Sequence, residues 1–169
     1  MQLPFLRKTD PGEPLVVAMT GIRLGERAIF AGSDPDLLLP LASRVGLSGQ
    51  MLVVSPAASA LQSRAEREGV LVDAAGAAPP GAEFDLAVVQ AEGDWRGTLR
   101  PLLAAVRPGG RVIVIAGRHA RGLLAKFSAA PSESPDGAAI TLELVQAGWT
   151  RARSIGERKG LTFVEAVHT

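Results

Sequence analysis

The chain has 169 residues, 47% of them hydrophobic and 21% charged, which suits one domain with a sizeable core and excludes disorder throughout. A net charge of +1 gives no long-range pull on nucleic acid or anionic lipid. The absence of cysteine excludes disulfides, thiolate zinc sites and a cysteine nucleophile, and the two histidines, His119 and His168, cannot build a His-rich metal site.

The first 20 residues, with Pro4, Pro11 and Pro14, read as an irregular segment or short helix ahead of a single domain over 21–169. They contain no continuous apolar run of the signal-peptide kind. Apolar runs such as Val112 to Ala116 are far shorter than the ~20 residues that span a bilayer. A cytoplasmic location without membrane contact is expected. The preference for arginine over lysine, with Lys8, Lys126 and Lys159 the only lysines, and the abundance of Ala and Gly suggest a bacterial, GC-rich origin.

Short β-type runs then alternate with longer helical ones. Arg27 to Ala31 reads as a strand stopping at Gly32-Ser33-Asp34-Pro35. Leu37 to Val45 carries Leu37, Leu38, Leu41 and Val45 on one helical stripe, with Asp34 or Ser33 as cap and Pro35 at the first helical position. Met51 to Val54 is a second strand, Ser59 to Glu68 an amphipathic helix stopped by Gly69, and Val70 to Val72 a third strand. Leu86 to Val89 is a fourth strand, introduced by Phe84-Asp85, where Asp85 is expected to serve as a turn or cap residue.

Thr98 to Val106 is a helix, Arg107-Pro108-Gly109-Gly110 a turn, and Arg111 to Ala116 a fifth strand. Ala129 to Gly137 is the best loop candidate. Ile140 to Ala147 is a helix, and Thr150 to Ile155 with Leu161 to Val167 form a hairpin joined through Gly156 to Gly160. Strands that are apolar on both faces and alternate with helices predict a doubly wound, mostly parallel α/β sheet ending in an antiparallel hairpin, with the last strand beside the fifth. Ligands of such sheets lie beyond the carboxyl ends of the strands. There is no Gly-x-Gly-x-x-Gly, no Walker loop and no Gly-x-Ser-x-Gly, which argues against dehydrogenase, nucleotide triphosphatase and serine hydrolase activities.

In this order and spacing the segments resemble the class I S-adenosylmethionine (SAM)-dependent methyltransferases over roughly Gly21 to Val167. The resemblance is carried by Glu83 to Val89 as the fourth strand and by Leu102 to Val114, with its Arg-Pro-Gly-Gly turn, as the helix and strand that follow. Gln146-Ala147-Gly148-Trp149 and the closing hairpin complete it. It implies a Rossmann-like methyltransferase fold, SAM as cofactor and a methyl acceptor that is small or shared with a partner protein or a second copy in a homodimer. No nucleic-acid partner is expected.

The resemblance also implies a site. Its cofactor-binding part would comprise Gly32, Ser33, Asp34, Ser55, Asp73, Ala74, Gln90 and Ala91. In Ala28 to Asp36, Phe30 stands where the family has an acid, Gly32 is kept, and Asp34 and Asp36 stand where two glycines are expected. Ser55 replaces the acid that accepts the ribose hydroxyls. Val72-Asp73-Ala74 is similar to the step that holds the adenine amino group, Asp73 being otherwise an ordinary loop acid. The departures imply SAM binding that is weak or lost, which Phe30→Asp, Asp34→Gly and Ser55→Asp together are expected to tighten.

Methyl transfer needs alignment and at most a base. Glu92, Asp94 and His119 are the catalytic candidates; Trp95 would stack on a planar acceptor or cover its own helix, and Arg118 and Arg121 would attract an acidic acceptor or be surface. Two functions follow: SAM-dependent methyl transfer, or a methyltransferase-like fold retained as a non-catalytic binding or assembly module.

Overall fold

The structure, a computed structural model, describes residues 12–81, 83–117 and 134–169. Among the described residues seven strands form one sheet in the order β3-β2-β1-β4-β5-β7-β6. Their bounds are β1 Arg27–Ala31, β2 Gln50–Val54, β3 Asp73–Ala75, β4 Phe84–Gln90, β5 Val106–Gly117, β6 Thr150–Arg158 and β7 Leu161–Val167. The first five are mutually parallel; β7 lies antiparallel against β5, and β6 antiparallel against β7. The expected doubly wound sheet, with its last strand inserted beside the fifth, is therefore present. The chain order reverses at β1, which opens a crevice between the carboxyl ends of β1 and β4.

Alternation along β1 divides the core into two layers. Ala28 and Phe30 face α1 (Leu15–Thr20), α2 (Pro35–Val45) and α3 (Ala58–Arg67), meeting Val16, Leu38, Leu41 and Leu61. Ile29 and Ala31 face α4 (Trp95–Ala105) and α5 (Gly137–Gln146), meeting Leu99, Leu102, Ile140 and Trp149. Helix starts follow side-chain chemistry. Asp34 caps α2 with Pro35 next to it, Asp94 caps α4, and Asp136 caps α5 by accepting from Ala139 N at 2.7 Å. Helix α1 is drawn into the same core by Val16 and Val17. The Arg111 guanidinium holds its end by donating to the Thr20 and Gly21 carbonyls.

Three expectations shift. The third strand falls at Asp73–Ala75 and not at residues 70–72. Val70 N donates to Ala65 O and the Val72 carbonyl accepts from Gln62 Nε2, so those residues close off α3 instead of pairing with β2. Arg107 to Gly110 is a wide bulge inside β5, because Val106 already pairs with Phe84 and the next partners are Leu86 and Arg111. The hairpin turn shortens to Lys159-Gly160, whose φ values of 51° and 77° are those of a type I′ turn. Asp85 has the structural role expected of it. It accepts from Arg27 N at 2.9 Å and from Arg107 Nε at 2.6 Å, tying the starts of β1 and β5 together at the end of the sheet away from the crevice.

Candidate functional site

The strand ends converge on a cleft of about 470 Å³, a size ordinary for small-ligand sites. Ala31, Gly32 and Ser33 at the end of β1 and beyond, Val54 to Ala57 at the end of β2 and beyond, Gly76 after β3, and Gln90, Glu92 to Trp95 and Thr98 from β4 into α4 line it. The walls are mostly apolar. The charged side chains on it are the carboxylates of Glu92 and Asp94, and among the described residues no lysine, arginine or histidine joins them.

A closed ring of hydrogen bonds crosses the mouth. Gln90 Oε1 accepts from both Ser33 N (2.9 Å) and Asp34 N (3.0 Å). Gln90 Nε2 donates to Glu92 Oε2 at 2.9 Å, and Ser33 Oγ donates to the same oxygen at 3.0 Å. Reversing the Gln90 amide would set N–H against N–H, so the partners fix its orientation. Gly32 has to be small here. A Cβ on it would lie 2.7 Å from Gln90 Cβ and Oε1 and 2.9 Å from Phe30 Cζ.

The other candidates divide sharply. Ser55 lines the cleft, and its hydroxyl oxygen accepts from Ala57 N at 3.1 Å, which leaves the hydroxyl hydrogen for a ligand. Asp34 is a cap, accepting from Asp36 N at 2.9 Å, and is not part of the lining. Asp94 is on the rim but caps α4 through Gly97 N at 3.3 Å. Trp95 is buried in the α4-side core with the Arg96 guanidinium 4.9 Å over its ring, so it forms wall and offers no open face for stacking.

Asp73 is placed away from the cleft. It opens β3, and its carboxylate reaches back to accept from Gln50 Nε2 at 3.0 Å beside Gly46, Leu47 and Gly49. The adenine role assigned to Asp73 assumed a strand ending at Val72; with the strand beginning at Asp73, Gly76 takes the place at its carboxyl end. Ala74 packs beside the α2-side core and Ala91 beside the α4-side core, and neither lines the cleft. His119, Arg118 and Arg121 lie outside the described residues. Sequence reasoning missed Gly76, Pro56, Gly93 and Thr98 as lining, and the Gln90 ring. A signal for the ring did exist: a long polar side chain ending a buried strand next to the glycine that ends another. Among the described residues no cluster of three or more His, Asp or Glu suits a metal ion, and no helix is long and apolar enough to cross a membrane.

No protein-family model matches the chain, and no curated protein sequence matches it. Solved structures do match. A SAM-dependent methyltransferase from Aquifex aeolicus superposes with a TM-score of 0.69 at 19% identity, over 91% of this chain and 88% of that one. The SAM-dependent methyltransferase SibL gives 0.63 at 19% identity over 89% of this chain but 52% of its own, and the [4+2]-cyclase SpnF gives 0.63 at 15% over 90% and 78%. The chain thus has the class I SAM-dependent methyltransferase fold. At these identities the likeness establishes architecture, which SpnF shares with a different reaction.

For the SAM that the resemblance implies, the two ends of the cleft differ in chemistry. Apolar walls and the Ser55 hydroxyl suit an adenine nucleoside. The end of the cleft beside the β1–α2 turn is closed by the Gln90 ring and edged by Glu92.

Proposed function

We propose that the chain binds the adenosine part of a SAM-type ligand in this cleft and serves as a binding or assembly module of methyltransferase fold. The observation that carries the reading is the cleft itself: a partly apolar site at the switch point of the sheet, walled by the ends of four strands, with Ser55 presented at the end of β2. Methyl transfer to a small acceptor is the second reading, favoured by Glu92 at the rim. That carboxylate is already engaged by two protein donors, Ser33 Oγ and Gln90 Nε2.

Calorimetric titration with SAM, S-adenosylhomocysteine and adenosine tests the binding reading, and absence of heat with all three at millimolar ligand overturns it. Release of S-adenosylhomocysteine from SAM in the presence of a panel of phenols and amines, abolished by Glu92→Gln, would replace the module reading with the catalytic one.

A further inference from the structure

We infer that Gln90 sets the ligand class of the cleft: its carboxamide takes the position of an acidic ligand tail, so the site favours 5′-thioadenosines without a carboxylate over those that bear an amino-acid tail. The inference rests on the adenosine reading above.

Where the chain leaves β1 and turns into α2, the N–H groups of Ser33 and Asp34 converge on one oxygen. Converging backbone N–H groups at such a turn ordinarily hold an anion. Here the oxygen is Gln90 Oε1, a neutral acceptor supplied by the protein. Its Cβ and Oε1 lie so close over Gly32 that not even a methyl group fits between them. Glu92 clamps the carboxamide through Nε2 and is itself held by Ser33 Oγ. A ligand carboxylate entering this end would find both N–H groups taken and a fixed negative charge 3.0 Å from Ser33 Oγ. Displacing Gln90 would cost its two N–H contacts and its bond to Glu92 together. A neutral alkyl tail leaves the ring intact, and a cationic one gains from Glu92.

The test is calorimetric titration of the full chain with S-adenosylhomocysteine and with 5′-methylthioadenosine, which share nucleoside and thioether and differ in the amino-acid tail. The unaltered protein is expected to bind methylthioadenosine at least as tightly. Tighter binding of S-adenosylhomocysteine by about tenfold or more overturns the inference and leaves the adenosine reading standing; no binding of either compound overturns both. Gln90→Ala frees the two N–H groups and is expected to raise the affinity of S-adenosylhomocysteine relative to methylthioadenosine by about tenfold, the scale of one hydrogen bond to a charged acceptor. An unchanged ratio in a variant that melts normally overturns the assignment to Gln90.

Discussion

Restoring the acid that the methyltransferase resemblance implies at position 30 should destroy the protein before it improves the site. Phe30 is fully buried between α1 and α2 on the β1 face that carries Ala28, among Leu38, Leu41 and Val53. Removing a buried phenyl ring costs about 3–5 kcal/mol. A carboxylate placed among these apolar side chains adds several kcal/mol, or takes up a proton. Domains of this kind are stable by only about 5–15 kcal/mol. Phe30→Asp is therefore expected to give insoluble protein or to lower the melting temperature by at least about 10–20 °C, at roughly 2–4 °C per kcal/mol for this size. Phe30→Leu, which keeps the site apolar, should lose about 1–2 kcal/mol. Thermal melting followed by far-ultraviolet circular dichroism reads both. A Phe30→Asp protein melting within about 5 °C of native, with tighter S-adenosylhomocysteine binding, would refute the argument that this residue has been absorbed into the core. The expected triple restoration fails with it, and Asp34→Gly removes a cap besides.

Ser55→Asp is the one restoration the structure tolerates, because an aspartate there can still accept from Ala57 N; it should keep the melting temperature and tighten 5′-methylthioadenosine binding about fivefold or more in calorimetry. Asp73→Ala should leave that affinity unchanged, since Asp73 bonds Gln50 away from the cleft, and a tenfold loss would return the adenine role to it. Asp85→Asn should cost about 1 kcal/mol at pH 7, or roughly 2–4 °C, after allowance for the half-exposed Arg107. Burial alone would raise the Asp85 pKa, but the Arg27 N–H and the Arg107 hydrogen bond and charge outweigh it and hold the group below its ordinary value. A depressed folded value stabilises above the unfolded pKa near 4 and is lost as pH falls through the folded one, so the native and Asp85→Asn melting curves should converge below about pH 4.

The fold was legible because its determinants are periodic and local. Leu37, Leu38, Leu41 and Val45 mark one helix face, Gly and Pro mark the breaks, and five strands apolar on both sides require helices above and below. What misled was competition between local partners. Val70 to Val72 has the composition of a strand, yet the end of α3 offers its residues hydrogen bonds first, through Ala65 O and Gln62 Nε2. Asp136 falls in the stretch expected to be a loop, but its carboxylate caps α5 through Ala139 N.

The site was legible to the extent that it depends on which strand ends meet. Gly32, Ser33, Ser55, Gln90, Glu92 and Asp94 were all expected there, and all line the cleft. What the pattern could not convey is which groups are already engaged. Asp34 and Asp94 match positions near a ligand, but each spends its carboxylate on a helix start, a role indistinguishable by spacing from a binding one. The same holds for position 30, where a departure from a motif reads as loss until the neighbours of the new side chain are known. Phe30 Cζ would lie 2.9 Å from a Cβ on Gly32, so the residue that replaced the acid and the residue that lies across the glycine, Gln90, pack on the same point of the loop. Phe30 and Gln90 therefore act together: one makes the end of β1 part of the core, the other satisfies the N–H groups of the turn. If the cleft holds a thioadenosine, the engagement of Ser33 N and Asp34 N by Gln90 is what turns an acidic tail away from it.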